Sequence, residues 1–240
     1  MTANPLLLFL ARRDDLSADE IALIETLCVP RRQFDSKSDI VEEQSKPSSS
    51  TVLLSGFAAR YTILRDGRRQ ISAIHVPGDF VDLHSLLLRH MDHGVLALTD
   101  CEVAIVPHAL LREITAERPH LSRMLWLSTV IDAAIHRRWI VTAGRLSAEG
   151  QMAHFICEMY RRLGVVGYVT DYSFRLPISQ IMLSDALGLS AVHLNRTLMD
   201  LRRNGLIEWR GAEVTILDWD RLAAVAQFDD TYLSLEKWAR

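Results

Sequence analysis

Residues 178–217, ISQIMLSDALGLSAVHLNRTLMDLRRNGLIEWRGAEVTIL, decide how this chain is built. Leu183, Ala186 and Leu187 give a first short helix one apolar face. Gly188 follows at the point where a helix ends and the backbone must take positive φ. Leu189 plugs the turn, and Ser190 is a good N-cap for a second helix. In that helix Leu194, Leu198 and Leu201 recur at spacings of four and three, which buries one stripe. The opposite face presents His193, Asn195, Arg196, Arg202 and Arg203. Gly205 stops the helix. Leu206–Trp209 and Glu213–Leu217 then pair as strands around Arg210-Gly211. A helix, a tight turn, a capped and charged second helix and a hairpin form a helix-turn-helix with a wing. Such a unit sets its second helix in the major groove of DNA.

Composition sets the surroundings. The chain has 240 residues, 49% of them apolar, and a formal net charge of −3. The charge is unevenly placed. Arg145–Arg210 holds eight Arg and six acidic residues, a net of +2, so the remainder carries −5. A mildly basic DNA reader joined to an acidic sensor fits that asymmetry. Cys28, Cys101 and Cys157 are far apart and form no CxxC pair, so no zinc site, iron–sulfur cluster or disulfide framework is expected. No run approaches the roughly 20 apolar residues of a membrane span. The opening MTANPLLLFLARRDDL has no basic residues ahead of its apolar run, so no secretory leader is expected. A cytoplasmic protein without a membrane partner follows.

Upstream, Ser17 and Glu20 form a capping box for a helix through about Leu27. Short apolar runs then follow at Val52–Leu54, Ala59–Leu64, Gln70–Val76, Val95–Leu98 and Cys101–Val106, with a hairpin turn at Arg65-Asp66-Gly67-Arg68. They predict a β-roll. A short helix over Ala109–Ala116 comes next. Pro119 opens a helix of about 25 residues, about 37 Å long. Its stripe of Leu121, Leu125, Ser128, Ile131, Ile135 and Trp139 is longer than a small roll's face, which predicts pairing with a second copy. Gly144 ends this helix. Gln151–Leu163 is a further helix, and Gln227–Arg240 is read as a last short one. The fold class is α+β. The predicted domains are a roll over 1–117, a dimerisation helix over 118–144 and the winged helix-turn-helix over 145–240.

In this order the chain resembles the Crp/Fnr family of bacterial transcription regulators over nearly its whole length. The resemblance is carried by LLSGFAARYTILRDGRRQISAIHVPGDFVDLHSLL in the roll and LGLSAVHLNRTLMDLRRNGLIEWRGAEVTILDWDRL in the reader. It implies a cytoplasmic homodimer that binds a roughly palindromic operator in double-stranded DNA, with RNA polymerase as a further partner. The family's base-reading arginine falls on Arg196, suited to bidentate contact with guanine. Val192 replaces the family's usual glutamate and can touch a thymine methyl. Asn195 can pair with adenine. Ser190 and His193 are placed to meet phosphate, as is Arg202, and Arg203 and Arg210 complete the expected DNA-binding set.

The family's nucleotide-binding cassette is poorly matched. Its glutamate falls near Leu83-His84 and its arginine–serine pair near His93-Gly94, so the effector pocket reduces to Gly78, Asp79, His84, Arg89 and His93. Without a fixed cation, cyclic AMP is not expected to bind. Cys28 is the first cysteine, so the N-terminal cluster of the oxygen-sensing branch is absent. The carbon-monoxide-sensing branch has its haem histidine at His84 and its cysteine ligand at Asp82, which is not an equivalent ligand. A haem or other small-ligand sensor using His84 is the alternative; no cofactor, resident metal or catalytic residue is expected. No nucleophile–base pair has recognisable context for an enzyme.

Overall fold

A computed structural model describes residues 3–239. Two compact units divide the chain inside one long helix, between Ala133 and Ala134.

The first unit begins with α1 (Pro5–Ala11), whose N-cap Asn4 accepts hydrogen bonds from the backbone N–H groups of Leu6 and Leu7 at 3.0 and 3.4 Å. Next comes α2 (Ala18–Leu27), opened by the expected Ser17–Glu20 capping box. The roll is built from β1 (Arg31–Phe34), β2 (Asp39–Val41), β3 (Ser49–Ser55), β4 (Ala58–Ile63), β5 (Arg69–His75), β6 (Gly94–Ala97) and β7 (Cys101–Pro107). They form two antiparallel sheets, in the orders β1-β7-β3 and β2-β6-β4-β5. The five predicted apolar runs all fall on strands. β1 and β2 are additions; β1 is mostly exposed and polar, and β2 is only three residues long, so neither leaves an apolar alternation to detect. A 3₁₀ turn (Leu83–Leu87) precedes β6, and α3 (His108–Glu117) follows β7. Leu6, Leu10, Ile24, Val52, Val106 and Leu121 share one buried cluster, so the N-terminal helices are part of the core of the roll.

The long helix, α4 (Pro119–Arg145), has 27 residues and runs one residue past Gly144. Its stripe corrects the sequence reading. Leu121, Leu125, Ile131 and Ile135 are at most 6% exposed within the single chain. Ser128 is half-buried, its Oγ donating to the Met124 carbonyl, and Trp139 donates Nε1–H to Glu158. Four of the six residues expected at a subunit interface are therefore already covered by their own protomer. Periodicity identifies an apolar stripe but not what covers it. A second face remains open. Trp126, Val130 and Ile140 are 70, 45 and 72% exposed. Ala133 and Arg137 lie between them, also exposed, giving spacings of four and three along one side.

The second unit contains α5 (Ala148–Val165), capped by Ser147, and a small hairpin of β8 (Val169–Thr170) and β9 (Ser173–Arg175). After these come α6 (Gln180–Leu187), α7 (Ala191–Arg203), β10 (Ile207–Arg210), β11 (Glu213–Ile216) and α8 (Trp219–Ala226). The sheet order is β10-β11-β9-β8, so the wing is a four-stranded sheet rather than a lone hairpin. The tip of the β4–β5 hairpin also belongs to this unit, with Arg69 bonded to Asp185 of α6 at 2.7 Å. The expected terminal helix over 227–240 is not formed. Among its described residues there is one 3₁₀ turn, Thr231–Leu233, and Arg240 lies outside them. Helical structure instead sits just upstream in α8, where Asp218 caps by accepting from the Arg221 N–H.

Glu158 of α5 organises the interior of this unit. It is fully buried and accepts from Trp139 Nε1 at 3.1 Å, Tyr232 Oη at 2.8 Å and Arg162 Nη1 at 3.1 Å. Burial still raises its carboxyl above the usual range, against the pull of Arg162 and the two other donors. Nearby His154 is held neutral, its value lowered to about 4 by burial and by Arg138. Cys28, Cys101 and Cys157 are all buried and unpaired, and burial pushes the Cys157 thiol up to about 12.

Candidate nucleic-acid interface and effector pocket

The reading head is built as the sequence dictates. Ser179 caps α6, and Gly188 ends it at φ 65°, a conformation an L side chain resists. Ser190 caps α7, its Oγ accepting from the His193 N–H at 3.2 Å. Leu194, Thr197, Leu198 and Leu201 are buried on the inner face of α7. Asn195, Arg196, Arg202 and Arg203 are exposed, Val192 is 82% exposed and His193 is half-buried. Val192, His193, Asn195, Arg196, Arg202 and Arg203 thus share the outer side of one capped helix, with Ser190 at its start and Arg210 on the wing.

The arginines differ in what they already hold. Arg202 donates to the carbonyl of Trp209, tying the end of α7 to β10. Arg203 pairs with Asp200 at 2.7 Å, and Arg210 pairs with Glu208 in the wing. Among the described residues Arg196 has no hydrogen-bond or ion-pair partner. Its planar fork of donors is available to a base edge, whereas Arg202 has a structural task. Side-chain partners of this kind are not legible from helical spacing.

In the roll, only part of the expected pocket comes together. Gly78 takes φ +96°, and a Cβ there would lie 2.7 Å from the Pro5 carbonyl oxygen, so α1 closes over it. Asp79 accepts from the Val76 N–H at 2.9 Å and braces that turn. Arg89 is exposed. His84 and His93 do meet, with ring centres 5.2 Å apart. Burial, then Arg60, lower both histidines, His93 to about 4, so both are neutral at pH 7. Asp82 does not stand beside them as a second ligand. It is buried and accepts from the Thr51 N–H at 2.5 Å, and burial raises its carboxyl to about 7.

Sequence reasoning missed Arg60. On β4, this buried guanidinium pairs with Asp132 at 3.0 Å and donates to the Val81 carbonyl at 3.0 Å. It is a fixed cation inside the roll, but one whose charge is already matched. Its signal in the sequence was an arginine inside an apolar strand, Ala59–Leu64, where a charge needs a buried partner.

Known proteins agree with this architecture. Residues 31–118 match the cyclic nucleotide-binding domain, and residues 150–225 match the Crp-like helix-turn-helix domain. The nitrogen fixation regulation protein FixK of Bradyrhizobium diazoefficiens is 31% identical over 198 residues, covering 82% of this chain and 81% of that protein. The chain belongs to the Crp/Fnr family. An anaerobic regulatory protein of Haemophilus influenzae is 24% identical over 231 residues, 89% of this chain and 90% of its own. The solved structure of FixK2 from Bradyrhizobium japonicum superposes with a TM-score of 0.74 at 26% identity, covering 81% of this chain and 96% of that one. As a Crp/Fnr member the chain is a DNA-binding regulator of transcription, and its relatives are regulators rather than enzymes. Among the described residues no helix is long and apolar enough to cross a membrane.

Proposed function

We propose that this Crp/Fnr regulator acts in the cytoplasm as a homodimer, reading a roughly palindromic operator with two copies of α7 and passing its occupancy to RNA polymerase. The observation that carries the reading is Arg196, exposed and unpaired on a capped helix whose other arginines are engaged. In the groove Arg196 meets O6 and N7 of a guanine, Asn195 an adenine, and Val192 a thymine methyl. Ser190 and His193, at the helix start, contact phosphate, which positions without specifying. Selection of bound duplexes from a random library tests this directly. Arg196→Ala weakens specific binding by about 1–3 kcal/mol and relaxes preference at one guanine per half-site. An unchanged sequence preference in the variant would refute the assignment.

The open face of α4 supports the dimer. Trp126, Val130, Ala133 and Ile140 present a long apolar side at coiled-coil spacing, with the inner stripe already buried. The effector site is proposed to be degenerate. A cyclic phosphate would have to take Arg60 from Asp132 and Val81, leaving Asp132 without that cation. Calorimetry with cyclic AMP is therefore expected to give no saturable heat at micromolar ligand. A tight stoichiometric isotherm would mean that Arg60 changes partners. The reading requires no prosthetic group.

A further inference from the structure

Three side chains from two segments converge beside the interior of the roll. His84 lies in the 3₁₀ turn Leu83–Leu87, while Asp92 and His93 lead into β6. Each offers one ligand atom, a ring nitrogen or a carboxylate oxygen, and the three atoms all lie within 4.8 Å of one another. Asp92 Oδ1 is 2.8 Å from His93 Nδ1. The His93 side chain is 8% exposed, and its buried Nε2 has no hydrogen-bond partner. A buried ring nitrogen without a partner asks for an explanation in a native fold.

We propose that His84, Asp92 and His93 form a site for one divalent transition-metal ion of the zinc class, with a coordination position left open. Two imidazoles and a carboxylate suit zinc, cobalt or nickel; calcium and magnesium prefer oxygen ligands throughout. A tetrahedral ion with bonds of about 2.0–2.1 Å sets its donors about 3.4 Å apart. The donors here need to close by no more than about 1.4 Å to reach that spacing. The means of closing are present. Asp92 is 79% exposed and turns readily, and His84 is half-buried, while His93 stays fixed.

Both histidines stand on anchored backbone. Ser85, next to His84, joins Ser50 and His108 in a buried cluster at 3.2 and 3.1 Å. His93 feeds directly into β6, which is paired with both β2 and β4. Sites on fixed elements hold their geometry better than sites on free loops. Arg60 opposes a cation here, but Asp132 matches its charge at 3.0 Å and Asp92 supplies a negative charge to the ion. The open position makes the site a candidate sensor rather than a closed structural clip. The inference rests on the roll alone, so its failure leaves the DNA-reading assignment intact, and the reverse holds too.

The test is titration of the chelator-treated full-length protein with Co²⁺, followed by visible ligand-field bands and displacement by Zn²⁺, with elemental analysis for stoichiometry. One ion per chain is expected, with bands of low-symmetry nitrogen and oxygen coordination. His84→Gln and His93→Gln each weaken binding at least about tenfold, and Asp92→Asn about tenfold. His90→Gln, at an exposed histidine outside the trio, leaves binding unchanged. Should His93→Gln fail to fold, His84→Gln at its half-buried position decides the matter. No stoichiometric ion in the wild type, or equal affinity in His84→Gln, overturns the proposal.

Discussion

A chain carrying Ile140→Glu is expected to sediment and scatter light as a monomer and to bind a two-half-site operator about 10²–10⁴-fold more weakly than the wild type. Ile140 is 72% exposed on the side of α4 that its own protomer leaves uncovered. Across a two-fold axis the same patch faces itself, so one substitution places two carboxylates against each other in an apolar contact. Each reading head then binds alone and loses the raised local concentration that its linked partner provides. Ile131→Glu is the informative contrast. Ile131 is 4% exposed, so a charge there should lower the thermal stability of the protomer rather than simply separate the subunits. A wild-type monomer at micromolar concentration, or a stable Ile140→Glu dimer, would remove α4 from the interface.

The second large effect is on stability. Glu158→Ala is expected to cost about 3–5 kcal/mol, because it strips three donors at once of their acceptor at a fully buried position. Trp139 Nε1, the Tyr232 hydroxyl and Arg162 converge on that carboxylate, and the side chain of Arg162 is only 9% exposed. Calorimetry should show the melting temperature of the second unit falling by roughly 10 °C or more. Glu158→Gln, which keeps a carbonyl acceptor in the same place, should recover part of the loss. A Glu158→Ala protein melting with the wild type would mean that water or a rearranged neighbour takes over all three donors.

What the sequence disclosed and what it hid have separate physical causes. The reading head was legible because its signals are local. Ser190, Gly188 and the spacing of Leu194, Leu198 and Leu201 each act within a turn or two of helix. The five apolar strands announced themselves in the same way. By contrast, β1 and β8 are two to four residues long and carry exposed side chains, so their pairing is decided by partners far away in the chain. Helix α4 has apolar residues on two sides, and only the packed core shows which side is already covered. Arg60 finds Asp132 across 72 residues, and Glu158 finds Tyr232 across 74. Such pairings depend on three-dimensional closure. The expected pocket residues separate for that reason: Gly78, Asp79 and Arg89 are neighbours in sequence of His84 and His93, but they serve a turn or face solvent.

The burial of the three cysteines gives the protein an internal clock. Cys28 and Cys101 sit in the first unit and Cys157 in the second, each sealed from solvent in the native state. An aromatic disulfide reagent can reach a thiol only while the surrounding structure is open, so its rate of colour development reports the frequency of that opening. Mapping the labelled peptide assigns each event to one unit or the other. The natural chain therefore carries probes that time the breathing of the roll and of the DNA reader separately, with no engineered label.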